Sequence, residues 1–103
     1  MYRVTTPTHT FTLPMDPADC QEIQVTYQQG NVELVKHYQD NTFPPGMSID
    51  ENNVIITLTQ QETAQFQKGR AFAQIRVLLG GKVMASQKMS VSVFDVINEE
   101  ILA

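Results

Sequence analysis

The stretch that decides the fold is "ITLTQQETAQF", Ile56 to Phe66, which begins with the alternation of a strand and then loses it. Thr59 is followed three residues later by Glu62, the spacing of a capping box, in which each side chain accepts from the other residue's amide. A helical turn can therefore start at Thr59, with Gly69 placed to end it. We predict a short helical crossover whose aromatic end, Phe66, closes one end of a β-core.

Alternating segments on both sides of this crossover are typical of β-strands, because successive side chains of a strand point to opposite faces. Ile23, Val25 and Tyr27, for example, are separated by polar residues. Gln29-Gly30-Asn31 is a tight-turn signal, and the proline content of residues 40–48 indicates a loop. The predicted strands are residues 8–13, 22–28, 32–38, 54–58 and 70–79, followed by a last strand that carries Met89, Val91 and Val93.

The pair Gly80 and Gly81 predicts a two-residue hairpin, which sets Val77 opposite Met84. Continued without interruption, this hairpin would place Met89 on the same face as the polar residues of the preceding strand. One extra residue reverses which face a strand turns inward. We therefore predict a bulge or break near residues 86–88.

These elements predict an all-β fold, an antiparallel immunoglobulin-like β-sandwich of about six or seven strands with one short helical crossover. A barrel-like closure is the alternative. Residues 1–103 are predicted to form a single domain, in which residues 96–103 are a C-terminal tail with a short helical turn. That turn is too short to be stable alone. Its apolar side chains either fold back onto the sandwich or dock on another copy: Ile97, Ile101 and Leu102.

Composition and charge exclude several classes of function. The chain has 7 basic and 11 acidic residues, a net charge of -4, and its basic residues are scattered, which argues against binding nucleic acid or a membrane surface. No segment has the roughly 20 apolar residues of a membrane helix, and we expect no signal peptide. A single cysteine allows no disulfide within the chain. We therefore expect assembly in the cytoplasm.

No residue pattern predicts catalysis. His9 and His37 do not have a metal-binding spacing and are interpreted as surface or strand-edge imidazoles. Cys20 has no catalytic signature nearby and is interpreted as a half-buried structural thiol. The aromatic residues are spread one per element, so we expect core packing to explain most of them. We predict that the protein is not an enzyme and has no catalytic, metal-binding or cofactor-binding residues.

Three segments carry a family resemblance: "EIQVTYQQGNVELVKHYQD", "NNVIITLTQQETAQFQKGRAFAQIRVLLGGKVMASQKMSVSV" and "VINEEI". Together they resemble a group of small phage and prophage proteins from Gram-positive hosts, which are similar to the N-terminal β-sandwich domain of phage baseplate upper proteins. The resemblance covers about residues 20 to 101. The matching positions are Gln29, Gly30, Lys36, Asp40, residues 58–63, Gln74, Arg76, Gly80 and Gly81.

The resemblance implies a non-enzymatic structural or accessory protein of the virion, such as a tail, baseplate or capsid adaptor or decoration protein. Such a protein would act through contacts with other virion proteins or with copies of itself, and would be located in the virion after assembly in the host cytoplasm. We expect a homo-oligomer in which Ile97, Ile101 and Leu102 contribute to the interface. The alternative is a small β-sandwich module that binds a ligand or carbohydrate.

Overall fold

The computed structural model describes residues 1–103 and contains eight strands in two antiparallel sheets that pack together. The expected all-β sandwich is therefore confirmed, with eight strands where about six or seven were expected. One four-residue helix, α1 (Gln60–Thr63), and a 3-10 turn at Pro17–Asp19 complete the regular structure. The strands are β1 Thr8–Thr12, β2 Glu22–Gln29, β3 Val32–Tyr38, β4 Met47–Asp50, β5 Asn53–Thr57, β6 Gly69–Leu79, β7 Lys82–Ala85 and β8 Met89–Val93.

The chain passes between the two sheets three times. The first sheet has the order β1-β5-β4, and in the second sheet β3, β2 and β6 are neighbours, with β7 and β8 both paired to β6. The passages are β1 to β2, β3 to β4, and β5 to β6. Only the third passage contains an α-helix, α1, while the 3-10 turn lies in the first passage. The crossover predicted from the sequence thus connects the inner strand of one sheet to the longest strand of the other.

The core follows the alternation of the strands. Ile23, Val25 and Tyr27 of β2 have no exposed surface, and neither do Val54 and Ile56 of β5. These two strands lie inside their sheets, so their inner faces meet across the sandwich. Burial of such side chains is the main favourable term in folding. The remaining fully enclosed large side chains include Leu58 and Phe66, at the start and the end of the crossover.

The predicted break in the last strand is present. Pairing with β6 stops at Arg76–Ala85 and resumes at Ala73–Met89, so two residues of β6 lie opposite three residues of the outer strand. This is the one-residue excess that reverses the inward face. As a result Val93 is buried and continues the apolar face of β6.

Ser86 repairs the hydrogen bonding at this break. Its amide donates to the Ile75 carbonyl at 2.9 Å, and its hydroxyl accepts from the Ile75 amide at 3.1 Å. The Gln74 side chain donates to the Ser86 carbonyl at 2.8 Å. The backbone of β6 therefore keeps its partners where the regular ladder is interrupted, and an unpaired buried amide is avoided.

Strand β4 was not expected, because residues 40–48 were predicted as a loop. Met47–Asp50 is only four residues long and pairs with β5, with Met47 opposite Ile56. Tertiary pairing sets this strand, and a short segment after two prolines has no alternation long enough to reveal it. Gly46 precedes it at φ +83°, and a Cβ there would lie 2.3 Å from the Thr57 carbonyl oxygen.

Helix α1 is shorter than the sequence indicated. It ends at Thr63, and Gly69, which was expected to end it, instead begins β6 with φ 137°. Between them, hydrogen-bonded turns carry the chain to Phe66, whose amide donates to the Thr63 carbonyl at 3.2 Å. Burial of Phe66, and not a glycine cap, sets the direction that the chain takes after α1.

The predicted helical turn in residues 96–103 is wrong, because these residues contain no helix. The Leu102 amide donates to Gln60 Oε1 at 2.9 Å, and Gln60 Nε2 donates to the Leu102 carbonyl at 2.7 Å. Arg3 also forms an ion pair with Glu99. These contacts hold the segment against the sandwich without a helix, and a segment of this length cannot nucleate a helix by itself.

Replacing Phe66 with Ala should lower the free energy of unfolding by roughly 3–5 kcal/mol, because a fully buried ring leaves a cavity. Thr59→Ala should cost about 1 kcal/mol through the lost cap. Urea denaturation followed by circular dichroism measures both losses.

The matched control is Phe72→Ala, an exposed ring on β6, for which we expect a loss within about 0.5 kcal/mol of zero. A Phe66→Ala loss below about 1 kcal/mol would contradict the role of this ring as the closing residue.

Candidate functional site

A lysine occupies a core position in the second sheet and pairs with the crossover. Lys36 lies on edge strand β3 opposite Val25, and only 7% of its surface is exposed. Its Nζ lies 2.5 Å from Glu62 Oε2 and donates to the Pro45 carbonyl at 3.0 Å. A buried ammonium group needs such partners, because leaving it without them costs several kcal/mol. This residue therefore ties β3, the loop before β4, and α1 together.

Glu62 serves both the ion pair and the helix start. Its Oε1 accepts from the Thr59 amide at 2.9 Å, while the Thr59 hydroxyl accepts from the Glu62 amide at 3.1 Å, so the expected capping box is present. Burial raises the pKa of Glu62, but the hydrogen bonds from Lys36 and Thr59 outweigh burial and hold the pKa below its ordinary value. The ionised carboxylate stabilises the fold at neutral pH, and this contribution is lost as pH falls through the lowered pKa.

A hydrogen bond between His9 and Tyr27 links the two sheets near this pair. His9 Nδ1 on β1 lies 2.7 Å from the Tyr27 hydroxyl on β2. Burial, and then the negative charge of Glu62, raises the pKa of Tyr27. Burial, and then the charged N-terminus, lowers the pKa of His9. Both shifts favour the uncharged forms, so a neutral imidazole and a neutral phenol share this hydrogen bond, and His9 is a half-buried structural residue on an edge strand.

Two side chains clamp the backbone that follows α1. Gln29 Oε1 accepts from the Gln67 amide at 2.7 Å, and Gln29 Nε2 donates to the Gln67 carbonyl at 2.7 Å. Arg3 donates to the Ala64 carbonyl at 3.0 Å and to the Phe66 carbonyl. The crossover is thus held from both sides by polar groups while Phe66 is held by the core. No local pattern marks Arg3, because its partners lie more than 60 positions away.

Five other positions of the family resemblance also support the backbone or strand pairing. Gln74 holds Ser86 at the break, as described above. Arg76 donates twice to Gln24 Oε1 of the neighbouring strand, at 3.0 Å and 2.6 Å. Gly30, Gly80 and Gly81 lie in tight turns and have positive φ angles, a conformation that favours glycine.

An open cleft of about 400 Å³ lies between the sheets on the side of β1 and β7. It is mostly apolar, and the rim consists of flexible side chains that adapt to different shapes. Both flanking strands have a neighbour on one side only, so backbone groups line the entrance. The cleft can take apolar groups from a ligand or a partner. Its main lining residues are Phe11, Ile75 and Val77 at the floor, and Met15, Met84 and Met89 at the rim.

The remaining candidate residues from the sequence have structural contacts. Cys20 is buried more fully than expected, at 4% exposure, and burial, followed by Asp19 and Asp16, raises the pKa of its thiol. A thiol with a raised pKa is a poor nucleophile. His37 Nε2, on edge strand β3, lies 2.7 Å from Glu22 Oε1. No group of three or more His, Cys, Asp or Glu side chains could hold a metal ion.

The expectation that core packing explains most aromatic residues is wrong. Only Phe11, Tyr27 and Phe66 of the eight are buried. Two partly or fully exposed pairs form instead. The Tyr2 and Phe94 rings lie 5.3 Å apart at 40°, and the Tyr38 and Phe43 rings lie 4.4 Å apart at 32°. These aromatic residues lie at strand ends or in loops, where alternation does not fix an inward direction.

Comparisons of the chain with models of protein families, with curated proteins and with solved structures gave no match. No helix of the protein has both the length and the apolar character needed to cross a membrane. The crossover network, the cleft and the exposed C-terminal segment are therefore the features from which a function can be inferred.

Lys36→Met should lower the free energy of unfolding by roughly 3 kcal/mol, because it leaves the Glu62 carboxylate without its cation. Breaking a buried ion pair costs roughly 3–5 kcal/mol. We expect the low end of this range, since 17% of the Glu62 side chain is exposed to solvent. The double variant Lys36→Met/Glu62→Gln should recover part of this loss, because Gln also completes a capping box.

Urea denaturation of the single variants and the double variant measures the coupling between the two side chains. Lys68→Met, at an exposed position just before β6, is the matched control and should change stability little. Losses that simply add in the double variant would contradict a direct Lys36–Glu62 interaction.

Proposed function

We propose that this protein is a non-enzymatic structural or accessory component of a phage or prophage virion, such as a tail, baseplate or capsid adaptor or decoration protein. It acts through contacts with other virion proteins or with copies of itself. The observation that carries the proposal is that several of the positions in the family resemblance anchor the fold. Lys36, Gln29 and the segment that contains Thr59 and Glu62 hold one crossover in place.

A rigid crossover suits a structural role. Five side chains at the resembling positions are occupied by partners within the chain, so they set a shape instead of presenting reactive groups: Gln29, Lys36, Glu62, Gln74 and Arg76. A module that assembles with other subunits benefits from such preorganisation, because less ordering is required on binding. The contacts of these side chains therefore support the structural role in addition to the family resemblance.

The exposed apolar side chains support contacts with other proteins. In the C-terminal segment (residues 96–103), Ile97, Ile101 and Leu102 have relative exposures of 107%, 44% and 73%. Tyr2 and Phe94, which contact each other just before this segment, are about half exposed. Apolar side chains grouped in this way are typical of surfaces that are covered in an assembly.

The cleft favours a second candidate, a small ligand-binding module. Its volume of about 400 Å³ is within the range of ligand sites, and its lining suits an apolar molecule better than a sugar. The carbohydrate version of this alternative needs an exposed aromatic platform, and the two aromatic pairs are tilted by 40° and 32° instead of lying flat.

Mass spectrometry of purified particles distinguishes the two candidates. After prophage induction of the strain that encodes the chain, particles are separated on a density gradient and digested. We expect peptides of this chain in the particle fraction at a fixed ratio to a tail or capsid protein, because a structural component copurifies with the virion. An abundant host enzyme serves as the control for carry-over. Recovery of the chain only in the soluble fraction, with intact particles lacking it, would contradict the virion role.

A further inference from the structure

We propose that the cleft between β1 and β7 binds the C-terminal segment, residues 96–103, of a second copy of this chain. The inference deepens the proposed function and rests on it, since it identifies the surfaces through which copies associate. It joins two features that are each incomplete in the single chain. The cleft is an apolar space without an occupant from its own chain, and the segment carries apolar side chains without a cover.

The cleft suits aliphatic side chains. Phe11, Ile75 and Val77 at its floor are each less than 10% exposed, whereas Met84 and Met89 at its rim are 40% and 37% exposed. Inserting aliphatic groups would remove these rim atoms from water at little steric cost, because methionine side chains are unbranched and adaptable. The edge strands β1 and β7 at the entrance each have one unpaired side, and the backbone groups on that side can pair with an extended partner segment.

The C-terminal segment forms neither a helix nor a strand and is held to its own sandwich by polar contacts. Gln60 exchanges two hydrogen bonds with the backbone of Leu102, and Arg3 pairs with Glu99. These contacts fix the direction of the segment but leave Ile97 and Leu102 largely uncovered. A segment that forms no regular structure of its own and carries uncovered apolar side chains can be taken up by a groove at a sheet edge, where bound peptides become extended.

Charge favours contact between the two surfaces. Residues 79–94, which contain β7, the break and β8, include Lys82 and Lys88 and no acidic residue. Residues 95–103 include Asp95, Glu99 and Glu100 and no basic residue. The first region carries a formal charge of +2, with Lys88 over the Phe72 ring and outside the cleft lining. Arg3 pairs with Asp95 and Glu99, so the second region together with Arg3 carries a formal charge of −2. Opposite charges around an apolar contact steer encounter and fix its register.

The two surfaces lie at different parts of one chain. The segment contacts Gln60 in α1, beside the end of the sandwich where β5 stops and β6 begins. The cleft uses the later halves of β1 and β6, toward the other end. Reciprocal docking of two copies closes a dimer, and docking in one direction continues into a ring or chain. Either arrangement contains the same contact.

Light scattering and analytical ultracentrifugation of the full chain and two variants test the contact. Met84→Asp places a charge at the rim of the cleft, and the triple variant Ile97→Ser/Ile101→Ser/Leu102→Ser removes the apolar side chains of the segment. Each should weaken self-association at least about tenfold. The matched control is Val83→Asp, which changes the neighbouring exposed residue on the opposite face of β7 and should leave association unchanged. Circular dichroism and thermal melting verify that each variant is folded.

A mixing experiment makes the test specific. The Met84→Asp variant keeps an intact segment, and the triple variant keeps an intact cleft, so a mixture of the two should associate although neither associates alone. A full chain that stays monomeric at millimolar concentration, or a mixture that stays monomeric, overturns the proposal. Association that is insensitive to both variants also overturns it while leaving self-assembly intact. None of these outcomes removes the chain from purified particles, so failure here is distinguishable from failure of the virion role.

Discussion

The ion pair between Lys36 and Glu62 is the interaction on which the rest of the structure depends. It joins edge strand β3 of one sheet to the crossover from the other, at a position where alternation would otherwise place an apolar side chain. The same carboxylate completes the capping box that starts α1, and α1 delivers Phe66 to the core. A charge that points inward on an edge strand also discourages that edge from pairing with another sheet. One pair therefore closes the fold and protects its β3 edge.

The opposite edge of the sandwich is organised differently. There the break at Ser86 turns β8 inward while β7 leaves Met84 exposed beside the cleft, and no charge points inward among the residues that line it. A sheet edge with an apolar opening is a place for contact with another chain or ligand. The proposed contact with a second copy uses this asymmetry between a protected and an open edge, and it accounts for the exposed aliphatic side chains of residues 96–103.

Features fixed by local pattern could be predicted from the sequence, whereas features fixed by distant partners could not. The capping box, the hairpin at Gly80 and Gly81, and the break in the last strand follow from spacing and alternation. Strand β4 depends on pairing with β5, and the course of residues 96–103 depends on Arg3 and Gln60. The cleft escaped prediction because it is formed by the separation of two sheet edges, which no single segment encodes.

Native-state hydrogen exchange of the Ala64 and Phe66 amides tests most directly whether the crossover is part of the cooperative core. These amides donate to the Gln60 and Thr63 carbonyls within the anchored segment. If the ion pair and the buried ring hold the crossover as argued, both amides exchange only on global unfolding, with opening free energies within about 1 kcal/mol of those in β2 and β6. Exchange through local opening, several kcal/mol below the value for those strands, would contradict the account.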